Sequence, residues 1–342
     1  QHLGLTNTDA THVAMLLNSG VDVVSNQVCY SLLDQRASSA MTDLCLQYDI
    51  KLLAFGTLAG GFLTEQWLGV PEPDCQSLQT WSQMKYKRFI DTAGGWDKFQ
   101  ALLAALERVA RRFGVSVANV ASRVILDAPA VAGVIIGARL GKREHIEDNL
   151  RLFDFKLDGP ALEEIEHARA ELRQIPGGCG DEYRKPPFLT AAGDLSDHFD
   201  KFPSPYPASV IQAGRTIALS GTKWEDAAGF ARAVRQGNRI LVSGTTATHK
   251  ETLIGGTDPA SQMHFCMDKI EGAIQSLGGQ MEDVIRTRIY IADPEISEPV
   301  TRAHGQRFRH IRPTNTLVIA GLIGEGYLVE MEAEALVLET PD

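Results

Sequence analysis

The stretch KLLAFGTLAGGFLT at residues 51–64 decides the reading of the N-terminal half. After Lys51, Leu52 to Phe55 form an apolar run closed by Gly56, strand-length and without the alternation of a half-exposed strand, as burial on both faces requires. Glycine and polar residues follow at once and mark a loop at the strand's C-terminal end. Working outward, the same unit recurs. Leu3–Thr6, Val21–Val28 (VDVVSNQV) and Ala132–Gly137 (AGVIIG) are short aliphatic runs that lead into polar or glycine-rich residues. Helical spacing lies between them: from Phe99 to Phe113, Leu102, Leu103, Leu106, Val109 and Ala110 recur at three- and four-residue steps. Strand then helix, four times over, predicts an α/β fold with a parallel sheet. Four such units are half of a (β/α)8 TIM barrel, and a half barrel leaves two apolar strand edges unpaired. The expectation is a first half upstream of Gln1, or a partner covering the edges.

The pattern changes after residue 175. Ile175-Pro-Gly-Gly-Cys-Gly, Lys185-Pro-Pro and Phe202-Pro-Ser-Pro-Tyr-Pro bring proline and glycine with little periodicity, the composition of a semi-extended linker. The chain is therefore divided into a half barrel over 1–175, a linker over 176–213 and a second domain over 214–342. In that domain the pattern predicts strands at Ile240–Ser243, Val284–Ile291, Asn315–Ala320 and Tyr327–Leu338, with helices over about 259–277 and 298–309. Irregular alternation of strand and helix points to an α+β domain.

Composition bounds the function. The 342 residues, 44% hydrophobic and 22% charged, exclude a disordered or collagen-like chain and give room for two to three domains. A net charge of -10 argues against nucleic acid or an anionic membrane as the main partner, yet leaves room for a phosphate-bearing small molecule on a local basic patch. Cys29, Cys45, Cys75, Cys179 and Cys266 form no CxxC pair, so neither a zinc site nor a disulfide framework is expected, and reduced thiols suit a cytoplasmic location. No apolar run approaches the ~18 residues of a membrane span.

GLTN (4–7), SNQV (25–28), LLAFGTLAGGFLT (52–64) and VIIGARLGKREHIEDN (134–149), in this order and spacing, resemble the C-terminal half of the aldo-keto reductases over about residues 3–170. Asn7 and Gln27 fall at the C-terminal ends of neighbouring strands, where amides can meet a carboxamide such as that of nicotinamide; capping of loop backbone is the alternative. The resemblance gives Phe55 the position of an aromatic that stacks on the nicotinamide ring, although a Phe at a strand end is commonly core. Arg139 and Lys142, with Arg143, precede a helical stretch ending near Asn149. Cations beside a helix N-terminus suit the 2′-phosphate of NADP, and a solvated basic turn is the alternative. The tyrosine, lysine, histidine and aspartate that polarise the carbonyl in this family come from the first half of its barrel. Tyr30, Tyr48 and Tyr86 do not match their context, so no catalytic acid is assigned within residues 1–170.

GNRILVSGTTA (237–247), Gln262 and Ile270, GGQMEDVIRTRIYIAD (278–293), PTNTLVIAGL (313–322) and VEMEAEAL (329–336) resemble the Rid family, also called YjgF, whose fold is chorismate-mutase-like and α+β. The resemblance implies a homotrimer through residues 214–342, with sites in clefts between subunits. Family members that hydrolyse 2-aminoacrylate-type imines clamp the substrate carboxylate with an arginine and position water with a glutamate. Asn315 stands at the arginine position, and a neutral amide cannot supply a guanidinium's charge. Glu330 matches the glutamate and is the candidate general base, although period two puts Glu330, Glu332 and Glu334 on one strand face, as in a solvated acidic row. Ser243 is retained at the site, Phe230 replaces a tyrosine and Thr301 an asparagine. His304 could face the cleft or solvent, and Arg307, Arg309, His310 and Arg312 form a basic run or a solvated helix end.

Three readings follow. In the first, an NADP-dependent oxidoreductase portion handles a small-molecule carbonyl, and the Rid-like trimer handles a reactive imine, enamine or enol. In the second, the trimer is a ligand-binding and oligomerisation module carrying a vestigial half barrel. In the third, the Rid-like domain is the sole catalyst, with Glu330 acting on a substrate lacking a carboxylate.

Overall fold

A computed structural model describes residues 2–74, 77–78, 80–137, 145–183 and 204–338. They form two compact units, residues 1–10 with 22–200 and residues 11–21 with 201–342.

The N-terminal elements are β1 (Leu3–Thr6), α1 (Ala10–Asn18), β2 (Val23–Cys29), α2 (Ala40–Gln47), β3 (Lys51–Phe55), α3 (Trp81–Ala93), α4 (Trp96–Phe113), α5 (Val117–Leu126), β4 (Val131–Ile135), α6 (Ile146–Leu150) and α7 (Gly159–Ala170). The four strands pair in parallel in the order β1-β2-β3-β4, the α/β arrangement the repeated unit predicts. Asn26, Val28, Leu52 and Ala54, on one face of the sheet, are fully buried. The stripe on α4 packs as its spacing requires: Phe99, Leu102, Leu103, Leu106 and Val109 are all inaccessible, and Gly114 ends the helix in the left-handed conformation. Phe62, Trp67, Trp96 and Phe99 interlock in the same core, with ring centroids 4.7 Å apart for Phe62 and Trp67 and 5.0 Å for Trp96 and Phe99.

The second unit contains β5 (Ala208–Gln212), β6 (Arg215–Ala218), α8 (Lys223–Ala228), β7 (Ala233–Gln236), β8 (Arg239–Thr246), β9 (Thr248–His249), β10 (Thr252–Leu253), α9 (Pro259–Ser276), β11 (Val284–Ile291), α10 (Ser297–Phe308), β12 (Thr314–Ile319) and β13 (Val329–Leu336). Seven strands form one sheet in the order β12-β11-β13-β8-β7-β6-β5, with only β11 and β12 parallel. On β13, Val329, Met331, Ala333 and Ala335 enter the core with Met263, Met267, Ile270 and Ile274 of α9. Glu330, Glu332 and Glu334 consequently occupy the opposite face. Asp258 caps α9 by accepting from the Ser261 N–H at 2.7 Å, and Pro259 follows at its first turn.

Both ends of the stretch expected as a linker over 176–213 carry ordered structure. Cys179 and Glu182 are buried in the first unit, because ion pairs draw residues 178–183 inward. At the other end Ala208–Gln212 is a strand, paired with β6. Among the described residues no helix is long and apolar enough to cross a membrane.

Candidate functional site

Parallel pairing brings the first set of candidates to one end of one sheet. Gln27 is in register with Thr6 and Leu53, and Cys29 with Phe55, so Thr6, Gln27, Cys29, Leu53, Phe55 and Ile135 share a face. Asn7 turns away from β1 with a φ of 51°, a left-handed conformation that asparagine tolerates, and its N–H donates to the Gln27 carbonyl at 2.8 Å. The neighbouring Asn26 points the other way and donates to the Thr8 carbonyl at 2.7 Å, fixing the loop that carries Asn7. The Gln27 amide and the Phe55 ring are both half-buried. Beside them, no atom lies within 4 Å of the place a Cβ on Gly133 would take, so the sheet face is open there. Asn149 lies in α6 with its side chain half-buried. Arg139 and Lys142 lie outside the described residues.

Beneath Phe55 is a group of charges that the sequence reading does not contain. Lys85, 7% exposed, donates from Nζ to the Tyr183 hydroxyl at 2.8 Å and to Glu182 at 3.4 Å. Its ammonium stands 5.4 Å from the Phe55 ring centre and 4.4 Å from that of Tyr183. Arg36 grips Asp34 through two bonds of 2.8 and 2.6 Å and pairs with Glu182 at 2.9 Å. Burial alone would neutralise Glu182, but Arg36 and then Lys85 outweigh it and hold the carboxyl below the usual range. Burial likewise disfavours the Lys85 charge, and the Glu182 carboxylate, with the hydrogen bond to the Tyr183 hydroxyl, overcomes it. Cys29, Asp34 and Glu182 place ligand-type atoms within 4.8 Å of one another. Both carboxylates are already paired with cations, however, and burial pushes the Cys29 thiol well up, so the group is a neutralised ion network. No local sequence signal announces it, because its members come from β2, its following loop, α3 and the segment after α7.

In the second unit Ser243 and Glu330 stand on adjacent strands. The Ser243 hydroxyl donates to the Ala231 carbonyl at 2.7 Å. Glu330 lies over Gly244, where any side chain would collide with its carboxylate. Burial raises the Glu330 pKa above the ordinary value, opposed by Arg232 and reinforced by Glu332. Arg232 is itself buried and donates to the Gly244 carbonyl and the Thr245 hydroxyl, each at 2.8 Å. Glu332 and Glu334 are not a bare acidic row: Arg288 pairs with Glu332 and Arg286 with Glu334, each at 2.7 Å, and Arg239 also binds Glu334. Ser243, Arg239, Arg286, Arg288, Glu332 and Glu334 line an open groove of about 570 Å³.

Asn315 is not beside Glu330. It pairs with Thr287 on β11, while Glu330 pairs with Tyr290 on the other side of that strand, and the two side chains leave opposite faces of the sheet. Within one copy the predicted trio is therefore split. Asn315 meets His304 instead, which is half-buried and bonded, and Arg307 of the basic run is engaged by Asp268 and Glu271.

The two units thus define a protein of mixed class, an α/β portion with polar groups gathered at its strand ends and an α+β portion with one open sheet face. Residues 1–170 match the Aldo/keto reductase family and residues 220–337 the family described as Endoribonuclease L-PSP. The chain belongs to both, as a fusion of an aldo-keto reductase region with an L-PSP (Rid/YjgF) domain. An uncharacterised Streptomyces coelicolor protein is 42% identical over 117 residues, 34% of this chain and 87% of its own length. Flagellar radial spoke protein 5 of Chlamydomonas reinhardtii is 34% identical over 128 residues, 37% of this chain, which spans 24% of that protein. A solved structure of a YjgF/YER057c/UK114 family member from Mycobacterium tuberculosis is 40% identical, covers 36% of this chain and 99% of its own, and superposes with a TM-score of 0.33.

Proposed function

We propose that the N-terminal portion, half of a (β/α)8 barrel, is the cofactor-binding part of a carbonyl oxidoreductase, and that the L-PSP domain binds or transforms a reactive imine, enamine or enol. The observation that carries the first part is the convergence of Asn7, Gln27 and Phe55 at the C-terminal ends of three neighbouring parallel strands, the end at which such folds bind ligands. The site fits a nicotinamide: the half-buried Gln27 amide has no hydrogen-bond partner among the described residues, Phe55 offers a ring, and the face at Gly133 is open. NADP would supply or accept a hydride there. Asn7 and Gln27 would orient its carboxamide, Phe55 would shield the ring from water, and Arg139 and Lys142, with Asn149, would take the phosphate. In a fluorescence titration of NADPH with the full chain, Arg139→Ala should weaken binding at least about tenfold, the loss of ~1.4 kcal/mol of charge-assisted contact. Unchanged affinity would remove the assignment.

For the L-PSP domain, the opposite placement of Asn315 and Glu330 favours a homotrimer in which a site is completed by a second copy. Glu330, with its pKa raised by burial, is the group suited to accept a proton. A binding module rather than an enzyme is favoured by two contacts: the Ser243 proton is committed to backbone and the Asn315 amide to His304. Keto-acid release from a 2-aminoacrylate generator separates the two, and no acceleration over the uncatalysed rate is expected while Asn315 stands at the carboxylate position.

A further inference from the structure

We propose that a cavity of about 510 Å³ in the first unit is a binding site for a small uncharged molecule with an aliphatic body and a hydrogen-bond acceptor such as a ketone oxygen. Its walls come from the segment that leaves β2, the last turn of α5 and one stripe of α7, where Leu162, Ile165, Glu166 and Arg169 follow at helical spacing. Leu32, Val124, Ile125 and Ile165 make the interior aliphatic. An apolar hollow of this size with a few polar groups in it is the ordinary form of a small-molecule site. Neither the trio Asn7, Gln27 and Phe55 nor the Lys85 network contributes to the lining, so the cavity is separate from the proposed cofactor position.

Tyr30 decides what the cavity takes. Its side chain is 4% exposed, and among the described residues its hydroxyl has no hydrogen-bond partner. A buried hydroxyl is costly to leave unpaired, and this residue belongs to the cavity wall. Burial raises the Tyr30 pKa and Arg169 opposes it without reversing the shift, so the phenol stays protonated near pH 7 and has a hydrogen to give. Arg169 adds a second donor. Glu166 engages its Nε, at 2.7 Å, and its Nη2, which leaves Nη1 uncommitted among the described residues. Both groups are satisfied by an acceptor. Charge then decides the kind of acceptor: Glu166 neutralises the guanidinium and Glu163 brings another carboxylate to the wall, so an anion leaving water meets no excess positive charge. A neutral carbonyl meets the donors without that cost.

Cyclohexyl methyl ketone and cyclohexanecarboxylate share a ring and a carbonyl and differ by a methyl group in place of a charged oxygen. Titrated into the full chain at about pH 7 and followed by ligand-observed NMR, the ketone should bind at least about tenfold more tightly than the carboxylate. Tyr30→Phe keeps the packed ring and removes only the hydroxyl. It should weaken the ketone about three- to tenfold, the effect of one hydrogen bond between neutral groups, with the circular dichroism unchanged. Equal or tighter binding of the carboxylate, or no binding of the ketone, would overturn the proposal in the unaltered chain, whatever the variant does. Unchanged ketone affinity in a folded Tyr30→Phe would overturn it as well, because the ketone would then be bound elsewhere.

Discussion

The two units hold similar sets of charged side chains under different conditions. In the first, Asp34, Arg36, Lys85 and Glu182 are closed off from water, with the Glu182 and Asp34 side chains wholly inaccessible. In the second, Arg239, Arg286, Arg288, Glu332 and Glu334 line an open groove, where the arginines remain 39–56% exposed. The same ion pair is a structural element in one place and an exchangeable one in the other. Within a dry core each charge depends on its partner, since water cannot replace it; in the groove, solvent or another protein surface can.

The largest test of that difference is Glu182→Gln, which leaves Lys85 and Arg36 with a single buried counter-charge. Loss of one partner of a buried ion network costs about 3–5 kcal/mol. Urea denaturation followed by tryptophan fluorescence should register it, because Trp67, Trp81 and Trp96 belong to the first unit. Of intermediate size is an effect of pH on the second unit. Lys269 donates to the Thr246 and Thr248 carbonyls at 3.1 and 2.9 Å, and burial, aided by Arg232, brings its pKa down to about 8. The unfolded chain, with an ordinary lysine near 10.5, binds more protons between these values, so stability should rise with pH from about 8 to 10.5. Lys269→Met should remove that slope in denaturation midpoints measured across the interval; an unchanged slope would mean that the ammonium is better solvated than its burial implies. The smallest effect is expected for Glu332→Gln in the groove, below about 1 kcal/mol. A cost equal to that of Glu182→Gln would break the contrast.

How much of this was legible depended on whether the signal was local. The strands β1 to β4 and β11 could be read from their apolar runs, and α9 from its amphipathic spacing, because burial writes itself into short stretches. The meander β5 to β7 could not. ASVIQ on β5 is exposed throughout, so its strand character comes from pairing with β6 and not from a buried face. At the sites, strand ends located Asn7, Gln27 and Phe55, whereas the Lys85–Tyr183–Glu182 group is assembled across distant segments and left no pattern. The row Glu330, Glu332, Glu334 was visible as a periodicity, but its meaning was not, because the arginines that neutralise two of the three come from β8 and β11. The split of Asn315 from Glu330 depends on strand order, which no spacing within β12 or β13 reveals.

That split makes self-association the claim on which the reading of the second unit depends. Sedimentation of the full chain, whose monomer mass is 37.3 kDa, tests it most directly. The account predicts a species of about three times that mass, reduced to the monomer by Leu241→Asp, since Leu241 is 45% exposed in the groove and a carboxylate there would have to be desolvated against a second copy. A monomer at every concentration, or a trimer indifferent to Leu241→Asp, would contradict it.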